Sequence, residues 1–418
     1  MTLIAAFVAT VFLYSVVSRR LERTVLTAPL LSTAVGMLMA LFPVAVAELK
    51  LGREGFLLIA ELGLVMTLFT DASRIGLRTL KGRASLPTRL LTVGMLLTLL
   101  LGAACAKLIF GTLSWAEAGI LAAILAPTDA GLGQAIVSSP KVPERIRQAL
   151  NVEAGLNDGL SVPFLLFFIA VAAAEDSGSG GVGVLGRFMV EQLGYGALIG
   201  VVAGLAGGAL LGWAHRRGWM SESSTQLGVV ALPLACVLAS EAWAASMFIA
   251  AFVAGLCARA GFDDVGRRSV AFAEEWGQLF NFFVFFLFGL LVARVMARLD
   301  AAIWLYAVLS LTVIRMVPVA IAMIGMGMSR ATVLFVGWYG PRGLASIVLG
   351  VVYLERELEL PGESTIALVV MATVLLSIVA HGLTTLPGIA RYAARVARLD
   401  GSAPEFARIE TTSESRQA

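Results

Sequence analysis

Apolar stretches long enough to cross a lipid bilayer recur from one end of this chain to the other. A hydrocarbon core about 30 Å thick takes about 20 residues of helix, and on that scale thirteen stretches stand out. They lie at 3–18, 26–44, 54–72, 90–111, 115–138, 146–173, 189–213, 226–241, 243–258, 274–293, 302–327, 330–354 and 364–388. Backbone N–H and C=O groups find no water inside a bilayer, so such stretches span it as helices. The sequence therefore predicts an all-α polytopic membrane protein of about 13 transmembrane helices. Charged residues make up 14% of the 418 residues and hydrophobic ones 59%, against roughly 25% charged in soluble domains. A soluble multidomain protein is excluded on that ground. The 43 glycines suit the same class, because small residues let membrane helices approach closely.

Basic residues test the count independently of hydropathy, since they collect on the cytoplasmic side. With the N-terminus outside, the cytoplasmic segments hold Arg19, Arg20 and Arg23; Arg74, Arg78, Lys81, Arg83 and Arg89; Lys141, Arg145 and Arg147; Arg216 and Arg217; Arg259, Arg267 and Arg268; Arg330; and Arg391, Arg395, Arg398, Arg408 and Arg416. The outside keeps Lys50, Arg53, Arg187, Arg294, Arg298 and Arg356. The eighth and ninth stretches are kept apart at Ser240-Glu241, because merging them would place the basic C-terminus outside. Residues 1–395 are read as the transmembrane domain and 396–418 as a short, disordered cytoplasmic tail. No cleavable signal is evident. Cys105, Cys236 and Cys257 form no short-spaced pair and the two histidines are assigned to span ends, so no metal site, cofactor or enzyme chemistry is expected. The net charge of +3 bears on orientation, and no nucleic-acid partner is expected.

The fifth and twelfth stretches interrupt their own helices. Pro127 lacks a backbone donor and is followed by Gly131 and Gly133, while Gly340-Pro341 and Gly343 break the twelfth. The two breaks lie seven spans apart. That odd offset gives two six-helix halves of opposite orientation, an inverted repeat of about 3–173 and 226–388 joined by a linking helix at about 189–213. Secondary transporters use this plan, because broken helix ends expose unpaired polar groups near the bilayer midplane.

Ionisable residues inside the membrane cost about 2.5–3.5 kcal/mol each, so each needs a partner, a cavity or a task. Those in question are Asp71, Thr128-Asp129, Glu153, Asn157-Asp158, Arg315 and Arg342, with Lys107 and Glu117 near enough to the outer surface to snorkel. Glu153 and Asn157 share a helix face, whereas Asp158 is rotated by roughly 140° from Glu153. Arg315 is the arginine of an unbroken span, and it is paired with Glu153 as a structural ion bridge. Arg342 is assigned to offset the carbonyl ends of the broken twelfth helix. Asp158 is left without a fixed counter-ion, a state in which a carboxylate can hold a proton or a small hard cation in turn. Hydrogen bonding to Ser161 or Asn157 is the competing reading of Asp158, and Asp71 and Asp129 can be electrostatic plugs at helix N-termini instead of ligands.

Five segments, LGLVMTLFTDASRIGLRTLK at 62–81, APTDAGLGQAIV at 126–137, RIRQALNVEAGLNDG at 145–159, GQLFNFFVFFLFGLLV at 277–292 and WYGPRGLASIVLG at 338–350, together resemble the monovalent cation/proton antiporters of the bacterial and archaeal NhaP type, relatives of the animal sodium/proton exchangers. The resemblance implies an NhaA-like antiporter fold with crossing broken helices, a homodimer, and a place in a bacterial or archaeal cytoplasmic membrane. By matching position, Asp158 resembles the essential ion- and proton-binding aspartate, Asn157 its supporting polar residue, and Thr128 the ligand at the unwound stretch, so that a Na⁺ site is expected at Asp158 and Thr128. Glu153 and Arg315 match the buried ion pair, Asp129 the acidic residue at the crossing, and Asp71 an acidic residue near the cytoplasmic entry. The Asn-Asp pair implies electroneutral exchange of one cation, Na⁺ first with Li⁺ or K⁺ as alternatives, for one proton. Two positions depart from the family: Ala130 stands where Pro is frequent, and Ala154 where Ser is. A solute symporter, a channel and a membrane enzyme are the other classes weighed. The first wants a larger polar midplane pocket, and the second would carry currents that electroneutral exchange does not.

Overall fold

The computed structural model describes residues 2–21, 24–43, 47–48, 53–74, 86–176, 182–262, 269–355, 358 and 360–407. Several residues used above lie outside them: Arg23, Lys50, Arg78, Lys81, Arg83, Arg267, Arg268, Arg356, Arg408 and Arg416. Every one of the thirteen apolar stretches falls on a helix or on two helices in succession. In the first half these are α1 (Thr2–Leu21), α2 (Ala28–Met39), α3 (Arg53–Arg74), α4 (Leu86–Ile109), the pair α5 (Trp115–Ile124) and α6 (Ala130–Val137), and α7 (Glu144–Asp176). Then come α8 (Gly196–Arg216), continuing a shorter helical segment from Val182, and α9 (Glu222–Ala242), α10 (Met247–Gly261) and α11 (Ser269–Val295). The last are α12 (Ala301–Leu311) and α13 (Val313–Ala322), the pair α14 (Arg330–Trp338) and α15 (Leu344–Leu354), and α16 (Glu363–Val396). Among the described residues the fold is helical throughout, and eight helical segments are long and apolar enough to cross a membrane.

Local chemistry sets where these helices start. Ser114 accepts from the Glu117 N–H while the Glu117 carboxylate accepts from the Ser114 N–H, a capping box that opens α5. Ser246, Asp300 and Ser329 cap α10, α12 and α14 with their side-chain oxygens. The eleventh stretch divides at Thr312, whose hydroxyl donates to the Val308 carbonyl one turn back, the kind of back-bond that bends a helix.

Packing follows the two-fold plan. α2 lies along α11, with Gly36 against the Phe286 carbonyl and Gly289 against that of Thr33; α10 lies along α3, with Gly255 against the Phe69 carbonyl. These pairings, second span with tenth and ninth span with third, are the ones an operation exchanging the two halves carries into each other. The linking helix α8 presents Gly196, Gly200, Gly204, Gly208 and Gly212 to α10, where a Cβ would strike the backbone of residues 246–261. Backbone-to-backbone approach of this kind is how small residues hold membrane helices together.

The tail departs from the expected disorder. Residues 404–406 form a turn in which Glu405 is buried, accepting from the Ser329 N–H (2.8 Å) and the Thr332 hydroxyl (2.7 Å). Arg145 donates to the Pro404 carbonyl (2.6 Å). A carboxylate that satisfies the free first turn of α14 gives residues 397–407 a reason to fold back. Residues 408–418 lie outside the described part.

Candidate functional site

The two breaks meet. Residues 125–129 separate α5 from α6, residues 339–343 separate α14 from α15, and the Asp129 N–H donates to the Pro341 carbonyl at 2.7 Å. Four half-helices thus turn their ends toward one place, two with free N–H groups and two with free carbonyls. Asp129 serves both N-terminal ends: its Oδ1 accepts from the Leu132 N–H of α6 (2.9 Å) and its Oδ2 from the Leu344 N–H of α15 (2.6 Å). Gly343 permits this, because a Cβ there would collide with the Asp129 carboxylate.

Arg342 is fully buried, and its Nη1 donates to the carbonyls of Ala126 and Pro127, the latter at 2.9 Å. These carbonyls belong to the fifth stretch. The expectation that Arg342 serves the twelfth helix is therefore corrected: the crossing sets the C-terminal end of α5 beside it, and a guanidinium is drawn to that negative dipole end whichever half of the chain supplies it. Glu153 on α7 and Arg315 on α13 come together through two bonds, Nη1 to Oε1 at 2.5 Å and Nη2 to Oε2 at 2.9 Å, with both side chains no more than 5% exposed. The Arg315 guanidinium also lies under Gly340, where a Cβ would overlap it.

Asp158 remains. It sits in the middle of α7, 6% exposed, and its Oδ1 is buried with no hydrogen-bond partner among the described residues. Neither competing neighbour binds that carboxylate. The Ser161 hydroxyl donates to the Asp158 backbone carbonyl (2.7 Å). Asn157 turns to Thr128, its Nδ2 donating to the Thr128 hydroxyl (2.7 Å) and its Oδ1 accepting from the Thr128 N–H (3.2 Å). Asn157 therefore fixes the unwound stretch and leaves Asp158 alone. Asp71 lies near the C-terminal end of α3 and is partly exposed.

A small cleft at the crossing is lined by Thr128, Asp129, Ala154, Tyr339 and Pro341 among others. Ala154 thus lines the same cleft as Thr128 with a methyl group.

Two further assignments from sequence change. Glu117 does not snorkel: it is 3% exposed, and besides the capping box it accepts from the Gly362 N–H at 2.6 Å. His381 is not at a span end. It lies inside α16, 1% exposed, with Nε2 at 2.9 Å from the Trp338 carbonyl at the second break. A signal was there to be read, since Ser377, His381, Thr384 and Gly388 recur at helical spacing in an otherwise apolar helix.

The family model described as "Sodium/hydrogen exchanger, transmembrane" matches residues 4–390. The K⁺/H⁺ antiporter NhaP of Alkalimonas amylolytica is 25% identical over 297 residues, covering 70% of this chain and 50% of that protein. A Na⁺/H⁺ antiporter of Schizosaccharomyces pombe is 24% identical over 282 residues, 63% of this chain and 59% of its own. An uncharacterised Na⁺/H⁺ exchanger of Escherichia coli, YjcE, is 34% identical over 180 residues, 41% of this chain and 32% of its own. The chain thus spans less than two thirds of each of these curated relatives. Among solved structures, the sodium proton antiporter MjNhaP1 of Methanocaldococcus jannaschii superposes with a TM-score of 0.75 at 18% identity, covering 96% of this chain and 99% of that one, which establishes a shared fold.

Proposed function

Because the chain belongs to the transmembrane sodium/hydrogen exchanger family, we propose that it exchanges a monovalent cation for a proton, with Asp158 as the group both occupy in turn. One observation carries this reading: among the described residues Asp158 holds the one buried carboxylate oxygen with no hydrogen-bond partner, beside two crossed helix breaks. Its neighbours are committed elsewhere, Asp129 to two helix N-termini and Glu153 to Arg315. A single such carboxylate carries either H⁺ or M⁺, so one cation exchanges for one proton and no net charge moves.

The cation's partners are then Asp158 and the Thr128 hydroxyl, which keeps a lone pair after accepting from Asn157. Backbone carbonyls contribute less than the sequence suggests, since those of Ala126 and Pro127 already accept from Arg342. Na⁺ is the first choice, with Li⁺ or K⁺ as alternatives; the printed names of the relatives include both Na⁺/H⁺ and K⁺/H⁺ antiporters. Asp71 stands where the cation would enter.

In this cycle Asp158 gives up its proton on one side and takes the cation there; the bundle bearing the crossing then moves and the steps reverse. The only bond made and broken in this cycle is the Asp158 O–H, and neither cation nor proton is chemically converted, so the role proposed is transport and not catalysis. The bundle would move against a dimerisation domain held by a homodimer. The orientation is the one the basic residues favour, N-terminus outside and C-terminus cytoplasmic in a bacterial or archaeal cytoplasmic membrane.

Proteoliposomes loaded with a pH dye and pulsed with Na⁺, K⁺ or Li⁺, with and without valinomycin, test ion choice and electroneutrality together. Asp158→Asn is expected to abolish dye responses to every cation while the protein inserts and purifies as the parent does. Exchange persisting in that variant would overturn the assignment.

A further inference from the structure

The first break has a visible keeper, and the pseudo-two-fold plan asks what keeps the second. In the first half Asn157, on the sixth stretch, holds Thr128 through two bonds. The element in the matching place of the second half is α16, the thirteenth. It meets the unwound segment with one face. The Arg342 N–H donates to Ser377 Oγ at 2.7 Å, and His381 Nε2 lies 2.9 Å from the Trp338 carbonyl. Trp338 Nε1 donates to Thr384 Oγ1 at 3.0 Å, and the Tyr339 hydroxyl to the Thr384 carbonyl at 2.7 Å. Ser377 and His381 are essentially fully buried, so each bond forms where water is not an alternative partner.

The Arg342 N–H donates to Ser377 Oγ, and a carbonyl only accepts, so the bond to Trp338 is made with the hydrogen on His381 Nε2. On the other side of the ring Nδ1 lies 2.9 Å from the Ser377 carbonyl and 3.2 Å from the Ser377 hydroxyl, so the imidazole sits between the second break and Ser377 of its own helix. The result is a paired hold, Ser377 on the Arg342 N–H and His381 on the Trp338 carbonyl. It pins both ends of the segment from Trp338 to Arg342. That segment supplies the guanidinium held by Ala126 and Pro127 and the carbonyl that accepts from Asp129, and Thr128 lies between those two contacts.

We propose that Ser377 and His381 are positioning residues of the ion site, holding the second break as Asn157 holds the first and acting on Thr128 and Asp158 through Arg342 and Pro341. The inference rests on the reading of Asp158 as the exchange site. It makes α16 part of the transport machinery although α16 gives the ion no ligand.

The test compares purified full-length variants in the same dye-loaded proteoliposomes, measuring cation KM, maximal rate and pH dependence, with thermal stability in detergent as the control for folding. Glutamine can place an amide N–H near the Nε2 position and asparagine only near Nδ1, so His381→Gln should stay close to the parent. His381→Asn and Ser377→Ala should raise the cation KM by about fivefold or more, the worth of one buried hydrogen bond, and displace the pH profile. Equal losses in His381→Gln and His381→Asn would make ring packing the cause and overturn the hydrogen-bond role. Unchanged KM and pH profile in stable Ser377→Ala and His381→Asn, with Asp158→Asn inactive, would overturn the positioning role and leave the ion site standing. Exchange surviving in Asp158→Asn would remove the site itself and this inference with it. Should His381→Asn fail to fold, the Ser377→Ala result decides.

Discussion

Breaking the Glu153–Arg315 pair from either side should cost unequal amounts, and removing both partners should cost little. The pair is doubly hydrogen-bonded at 2.5 and 2.9 Å and at most 5% exposed, so each charge depends on the other for compensation. Removing one member of such a pair costs about 3–5 kcal/mol, while replacing both by apolar groups of similar volume is often neutral or stabilising. Glu153→Leu leaves a guanidinium that cannot give up its charge and that touches Gly340 in the second break. Arg315→Met leaves a carboxylate that can take up a proton. Glu153→Leu should therefore be the costlier, near the top of that range, and Arg315→Met should recover stability as the pH falls. The double variant should return to within about 1 kcal/mol of the parent and still exchange ions, since the pair touches neither Asp158 nor Thr128. Equilibrium unfolding by sodium dodecyl sulfate in mixed micelles, followed by tryptophan fluorescence, gives the double-mutant cycle. A Glu153→Leu cost below about 1 kcal/mol, or a double variant as unstable as the sum of the singles, would refute the reasoning.

Three further outcomes are expected. Gly343→Ala places a Cβ on the Asp129 carboxylate, so it should free the Leu344 N–H and lower both the detergent melting temperature and the exchange rate; a parent-like rate would show that Asp129 need not bridge the two helix starts. Ala154→Ser adds a hydroxyl to the cleft lining and should lower the KM for Na⁺ relative to K⁺ by about two- to tenfold, one hydrogen-bond-sized contact, as read in ion-pulse assays. For Glu405, burial pushes the carboxyl up, but the Ser329 N–H and the Thr332 hydroxyl outweigh it and hold it below the usual carboxylate range. Its contribution to tail docking is therefore complete above the unfolded-chain value of about 4.3 and is lost as the pH falls through the lower folded value. Protease cleavage within 397–407 should thus stay slow at neutral pH and rise in strong acid, and Glu405→Gln should raise it at neutral pH.

What the sequence revealed and what it hid divide along chain distance. Apolar length marks each span whatever it packs against, and Gly340-Pro341 or Pro127 breaks a helix wherever the fold puts it, so spans and breaks were legible. The unpartnered state of the Asp158 carboxylate was legible for a related reason: a carboxylate in an apolar helix must be explained, and the sequence offers it no obvious permanent partner. Arg342 was misassigned because its acceptors lie more than 200 residues away; nearness in sequence favoured the wrong break. Glu117 looked like a residue at the lipid surface because its second partner, Gly362, is equally remote. The split at Thr312 has no glycine or proline to announce it. His381 was overlooked because a single histidine late in an apolar run resembles a span end, whereas the helix continues past it to Val396 and the contact with Trp338 makes it a support.

The charged groups at the crossing other than Asp158 each hold a partner, and this pairing isolates Asp158. Four helix ends converge where water is scarce, so their partial charges need partners from the chain itself. Asp129 takes both N-terminal ends, Arg342 the carbonyl end of α5, and His381 the last carbonyl of α14. Glu153 would be a second competitor for a cation, and Arg315 removes it. Had any one of these partners been absent, the exposed helix end or the spare carboxylate would compete with Asp158 for the cation or the proton, and one-for-one exchange would lose its physical basis. In the proposed cycle the fixed pairs thus contribute to stoichiometry as much as to stability. A variant that frees Asp129 without unfolding the crossing should accordingly turn the proposed electroneutral exchange partly electrogenic, seen as a valinomycin-sensitive rate in potassium-loaded vesicles; a rate that stays insensitive would show that Asp158 sets the stoichiometry alone.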